Sequence, residues 1–434
     1  MSAGPILIFD KSTLQSLNVD EAVWLDHSYL CNITPLFFIE TLADLEKEVR
    51  AGRTSDQVVG SLAMKTPDMG SSVNVHHTTL ILDELLGVDI VDTRTGRPHI
   101  GGGVPMELGG KSGVMFKPSQ EDEAFRRWQE GDFLTIERVA AKAWRDALSK
   151  IDLESVYSLF KERLPQWNKP KGLDEVKRDV DNVLVHQDQE NVLRMALSLV
   201  GVPSDYWHAI LERWQKTNRP SVRDFAPYFA YVFSVDLFFY FAVAADLIGR
   251  GRPSHKIDMA YLYYLPFCMV FSSNDKLHQT IVPFFLRERQ TFVSGTDLKA
   301  DLQALDQHYS SLPEEIKNRG LATFAFYPPD DTRFLITRLW DKHMNPRWRE
   351  HKHEHDAWSS KKEKRDAPSP LMEAIRSAEI KGAPMKPHVP TRMSEPNHIV
   401  IKRNVRAKKG KWERFPEVMR NRRKNERGEW EDTP

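Results

Sequence analysis

Cysteine is almost absent. The 434 residues hold only Cys31 and Cys268, each inside an apolar stretch. Two such thiols exclude a disulfide framework and fit a reducing compartment. Net charge is absent too: 61 Lys and Arg balance 61 Asp and Glu, so overall charge implies no partner. The opening MSAGPILIFDKS lacks a basic stretch, and its apolar run is too short for a secretory signal. Long apolar runs are scarce. One, residues 225–248, reads FAPYFAYVFSVDLFFYFAVAADLI and could cross a bilayer, for which about 20 residues suffice. Asp236 near its middle argues against that, because a carboxylate at the bilayer centre is costly. A central helix of a large soluble domain can be apolar all round. The expectation is a buried helix, no membrane span and a cytoplasmic protein.

A chain that is 41% hydrophobic and 28% charged belongs with soluble globular proteins. Its length suits two to three domains of about 100–200 residues. Pro5–Phe9 reads as a buried strand ending at Asp10, with Ser12 opening a short helix. Asp20–Asp26 is a second helical candidate, and Tyr29–Ile33 a second strand. Thr34-Pro35 supplies a cap and a first-turn proline for the helix LFFIETLADLEKEVR, which carries Glu40. Residues 51–118 hold glycine-rich loops. Their GGKS (109–112) resembles the end of a phosphate loop, but Pro105 stands where the pattern needs glycine. Residues 119–220 are helical by the three-and-four spacing of their apolar residues. A helix over Lys256–Leu265 leads to a strand at Met269–Phe271, and a short strand at Thr291–Val293 precedes a helix over Leu298–Leu305.

Beyond residue 341 the chain turns polar and basic. Lys402–Arg427 carries twelve Lys or Arg against three Glu. With Trp412 and Phe415 interleaved, it reads equally as a solvated tail or as a surface that tracks a phosphate backbone. The histidines 351, 353 and 355 alternate as metal ligands on a strand would, although solvated side chains are the plainer reading. His76-His77 and YLYYLPF are weaker candidates still.

Four carboxylates share a placement. Asp10 and Asp275 end strands, Glu40 lies in a helix that follows a strand, and Asp258 stands near a helix start 17 residues before Asp275. In parallel α/β sheets functional groups gather at the carboxyl ends of strands. Taken singly, each has an ordinary role: a turn cap, an exposed helical residue, first-turn helix chemistry. As an ordered set they carry more. Clustered carboxylates repel one another unless cations neutralise them, and hard oxygen ligands suit Mg²⁺ or Mn²⁺.

The order FDKS, ITPLFFIETL, DMAYLYYLPFCMVFSSND resembles the PIN domain, a metal-dependent nuclease fold, over about residues 4–50 and 221–305. The resemblance implies a three-layer α/β/α domain with a parallel sheet, interrupted by a large, mostly helical insertion and followed by a basic C-terminal extension. The expected division is 1–118 and 221–340 for the two parts of that domain, 119–220 for the insertion and 341–434 for a flexible tail. The resemblance also implies a magnesium- or manganese-dependent nuclease with RNA the expected partner over DNA. Asp10, Glu40, Asp258 and Asp275 would be catalytic metal ligands, and Ser273, Asn274 and Asp297 accessory residues. The alternative is a non-catalytic nucleic-acid-binding or protein-interaction module on a degenerate scaffold. Self-association stays open.

Overall fold

The computed structural model describes residues 4–46, 52–88, 91–108, 111–149, 169–249, 252, 254–359, 398–401, 405–415, 422–424 and 430–432. In chain order the strands are β1 (Ile6–Phe9), β2 (Leu30–Ile33), β3 (Ser71–Val73), β4 (Val104–Leu108), β5 (Lys111–Phe116), β6 (Val270–Ser273), β7 (Thr291–Ser294) and β8 (His398–Ile401). Five of them form a sheet in the order β3-β2-β1-β6-β7, with every pairing parallel. Leu7 pairs with Cys31 on one side and Val270 on the other, which makes β1 the central strand. The chain winds outward from β1 to β3, then returns to the far side of β1 as β6. The carboxyl ends of β1 and β6 therefore flank a switch point, where open α/β sheets hold their ligands.

The apolar runs of β1 and β6 are continuous rather than alternating because the sheet is covered on both faces. Ile6 and Ile8 enter one core, Leu7 and Phe9 the other. The first core is roofed by helices His77–Leu86, Leu173–His186, Gln189–Val200, Trp207–Lys216 and Pro227–Ala244. The second is built from Val19–Ser28, Ser55–Lys65, Gln120–Gln129 and Gly295–Ser310. Residues 119–220, expected as one inserted unit, are thus divided between the two faces. Pro227–Ala244 is long and apolar enough to span a membrane, yet 83% of it is buried inside the protein. Its Asp236 accepts from Lys256 Nζ and Tyr263 Oη, which satisfies the one charge in that helix.

Residues 51–118 contain more order than expected: two helices, β3 and the antiparallel β4–β5 hairpin. Lys111 and Ser112 of GGKS start β5 rather than a helix, so the helix N-terminus a phosphate loop requires is missing there. His351, His353 and His355 lie in the helix Trp348–Ser359. Alternate helical residues point about 200° apart, so His353 faces away from His351 and His355, and His355 stacks on Phe326 at 4.5 Å.

The largest departure concerns the tail. Residues 405–415 fold back as a tight pair of strands, β9 (Lys408–Lys409) and β10 (Trp412–Glu413), and pack into the second core. Trp412 packs on Trp24 at 5.1 Å, and both indole N–H groups donate to Asp306. Arg414 is completely buried. Its guanidinium pairs with Asp26 and, at 2.5 Å, with Asp68. Asp26 also accepts from the backbone N–H groups of Asp68, Met69 and Gly70. Lys409 Nζ, likewise buried, donates to the Thr66 carbonyl at 2.8 Å. Two charges expected to be solvated or phosphate-facing, Lys409 and Arg414, are therefore internal. The rest of the basic stretch, residues 402–404, 416–421 and 425–427, lies outside the described residues.

Two outcomes follow for stability. Arg414→Ala strands the Asp26 carboxylate in the core and should cost roughly 3–5 kcal/mol, read as a lowered urea midpoint. The second is an acid limb. Burial raises the Asp26 carboxyl, but the Arg414 and Lys409 charges outweigh it and hold it at about 2. A carboxyl depressed by folding stabilises above its unfolded value of about 3.9 and loses that contribution as pH falls. Burial and the Asp26 charge push Asp68 the other way. Asp26 sets the sign, because its carboxylate alone also holds three backbone donors. Circular dichroism should show stability lost between about pH 4 and pH 2.

Candidate active site

Asp10 follows β1 directly and is 5% exposed. Its side chain caps the short helix Lys11–Ser16 by accepting from Thr13 N–H at 2.9 Å. Ser12 Oγ donates to the same carboxylate at 2.7 Å. From the neighbouring strand β6, Ser273 Oγ donates to it at 2.7 Å. Ser273 Oγ in turn accepts from Asp275 N–H at 2.9 Å and lies 2.7 Å from His278 Nδ1. The other ring nitrogen of His278 sits 2.7 Å from the Asp258 carbonyl oxygen.

These contacts fix a protonation state. A hydroxyl has one proton to donate, and that of Ser273 goes to the ionised Asp10. His278 Nδ1 must then donate to Ser273. The Asp258 carbonyl can only accept, so Nε2 must donate as well, and the ring is an imidazolium. The electrostatics agree. Burial raises the Asp10 carboxyl, but the hydrogen bond and charge of His278, helped by Ser273 and Ser12, hold it below its ordinary value. Burial lowers His278, yet the hydrogen bond and charge of Asp10 leave it raised.

Glu40 projects from the helix Pro35–Ala43, which Thr34 caps and Pro35 starts. Tyr261 Oη donates to Glu40 at 2.7 Å, and Lys11 Nζ lies 3.3 Å from its other oxygen and 3.4 Å from Asp44. Burial pushes the Glu40 carboxyl up, and the Asp258 and Asp10 charges add to this against Lys11 and Tyr261. Asp10, Glu40 and Asp258 therefore sense one another. Asp258 lies in the first turn of the helix His255–Tyr261, with its carboxylate 3.5 Å from His255 Nδ1.

The remaining expected residues take structural posts. Asp275 caps the helix Lys276–Ile281 by accepting from Leu277 N–H at 2.6 Å. Asn274 lies against Gly295, where an added Cβ would come within 2.6 Å of its amide, and accepts from Thr296 Oγ1. Asp297 is exposed and accepts from Ser294 Oγ at 2.7 Å, an exchange of caps at the start of Gly295–Ser310.

Sequence reasoning missed Lys11, Ser12, Tyr261 and His278. A signal existed for two of them. Tyr261 stands one helical turn after Asp258 and His278 one turn after Asp275, so each shares a helix face with an acid already singled out.

Among the described residues, no group of three or more His, Cys, Asp or Glu side chains is arranged to hold a metal ion. The chemistry of the donor set is nonetheless that of a hard cation: carboxylate oxygens only. Burial is the main reason the Glu40 carboxyl is raised, with the Asp258 and Asp10 charges adding to it. Comparison with family models, curated proteins and solved structures finds no match to this chain.

The imidazolium can be checked by NMR. His278 should titrate above about 6.5, and lower in Asp10→Asn, where the Asp10 hydrogen bond and charge are gone and only Asp258 still opposes burial. A raised histidine stabilises fully below its unfolded value. That contribution is lost as pH rises through the folded value, so the wild type should lose its margin over Asp10→Asn on that limb.

Proposed function

We propose that the protein is a divalent-metal-dependent nuclease that hydrolyses phosphodiester bonds, with RNA the favoured substrate. The observation that carries this reading is the electrostatic cluster of Asp10, Glu40 and Asp258 at the switch point of a parallel sheet. A perturbed carboxylate with charged neighbours at the edge where such sheets bind ligands is a functional-site candidate. Asp10, Glu40 and Asp258 would hold Mg²⁺ or Mn²⁺. Such ions supply a water of lowered pKa and neutralise phosphate charge. The chain's own groups prepare the acids. Ser12, Ser273 and His278 hold Asp10 ionised and oriented. Tyr261 fixes one oxygen of Glu40, and Lys11 moderates the repulsion. The two free, buried cysteines suit a cytoplasmic enzyme. The RNA preference rests on the PIN resemblance alone.

One observation favours the second reading, a binding module on a degenerate scaffold. Both oxygens of Asp10 are already engaged by Ser12, Thr13 and Ser273, with His278 beside them.

Labelled single-stranded RNA and DNA, incubated with Mn²⁺, Mg²⁺ or EDTA, separate the two. The nuclease reading expects metal-dependent cutting by the wild type, background rates for Asp10→Asn and Glu40→Gln, and a loss of about 10- to 100-fold for Ser273→Ala, which only orients a ligand. Oligonucleotide binding with no cutting under any condition would transfer the assignment to the binding module.

A further inference from the structure

The short helix that begins on Asp10 ends on two lysines. Lys65 Nζ donates to the Gln15 carbonyl at 3.0 Å, and Lys299 Nζ donates to the Ser16 carbonyl. Lys65 is the last residue of Ser55–Lys65, and Lys299 lies early in Gly295–Ser310. Arg53, just before the first of these helices, is exposed. Two helices more than 200 positions apart in sequence thus bring lysines to the end of one short helix.

Among the described residues, one carboxylate answers them. Glu21 lies 3.7 Å from Lys299 Nζ, but it is buried and already accepts from Asn18 N–H at 2.7 Å. Burial pushes the Lys65 ammonium below its usual range, and the Lys299 and Arg53 charges act the same way against Glu21. The group is therefore a concentration of positive charge that the protein leaves in excess. An ammonium has three donors. Lys65 gives one to Gln15, and the half-exposed side chain of Lys299 is 40% accessible.

The spacing matters because the six residues of Lys11–Ser16 span about 9 Å. Acids stand at one end of that helix and cations at the other. A polynucleotide whose scissile bond lies over the acids would carry its next phosphates past the cations.

We propose that Lys65 and Lys299 form a phosphate-binding subsite for the backbone of the polynucleotide substrate. The proposal rests on the nuclease reading and deepens it. A purely structural role is the competing account, since cations near a helix C-terminus stabilise it.

The test is fluorescence anisotropy of a labelled single-stranded RNA with the full-length protein in EDTA, from about 50 to 200 mM salt. Wild type is compared with Lys65→Gln/Lys299→Gln and with the remote control Lys177→Gln. The subsite requires affinity at low salt to fall at least about tenfold in the double variant. The slope of log affinity against log salt should become shallower by about 1.4, at roughly 0.7 per phosphate contact. The control should match wild type, and Lys65→Arg/Lys299→Arg should restore binding.

Unchanged affinity and slope, with a lowered unfolding midpoint, would reduce the lysines to helix caps and overturn the proposal. If the wild type still cuts RNA in that case, the nuclease reading survives without the subsite. Weakened, flatter binding from a protein that cuts nothing would leave the subsite standing and remove the nuclease. A wild type that binds no RNA would overturn both.

Discussion

The Asp10 carboxylate accepts from Thr13 and Ser12 on its own turn and from Ser273 on β6, and it faces the His278 imidazolium. One side chain thereby ties the end of β1 to the end of β6, from residues 263 positions apart. The same imidazolium reaches the Asp258 carbonyl, so the helix before β6 joins the knot. Burying an anion this deeply is costly unless donors surround it, and here every donor comes from the carboxyl edge of the sheet. That constraint orders the edge, and with it the positions of Glu40, Asp258 and Tyr261.

Charge is distributed unevenly across that edge. Asp10 has a cation of its own. Glu40 shares Lys11 with Asp44 and is pushed up by burial, with its acidic neighbours adding to it. Under the proposed reading a further cation would join these acids, and Lys65 and Lys299 stand about one helix length away, at Gln15 and Ser16. A surface that pairs the two signs at this distance suits a ligand of alternating demands, as a metal-bound polynucleotide would be. The buried Asp26–Arg414 pair does separate work: it closes the second core with a segment from the far end of the chain.

The sequence showed the central strands because β1 and β6 are buried on both faces and read as unbroken apolar runs. It did not show β3, whose Ser71-Ser72-Val73 is short and small at an edge of the sheet, where packing demands little. The strand-end positions of Asp10 and Asp275 were readable for the same reason as the strands. Their partners were not, because which donor reaches Asp10 depends on how the chain returns to β6 nearly 200 residues after β3. Asp275 illustrates the limit, since a carboxylate at a strand end serves equally as a helix cap, and that is what it does. Arg414 and Lys409 misled in the opposite direction. A basic stretch poor in apolar residues reads as solvated, and only the fold supplies Asp26, 388 positions away, as a buried counter-ion.

The central claim is that Asp10, Glu40 and Asp258 form a single cation-binding centre. Equilibrium Mn²⁺ binding, followed by electron paramagnetic resonance, tests it without reference to any substrate. The account predicts saturable binding by the wild type that is weakened by Asp10→Asn, by Glu40→Gln and by Asp258→Asn alike. An absence of saturable binding in folded wild-type protein, or binding that ignores all three substitutions, would contradict it.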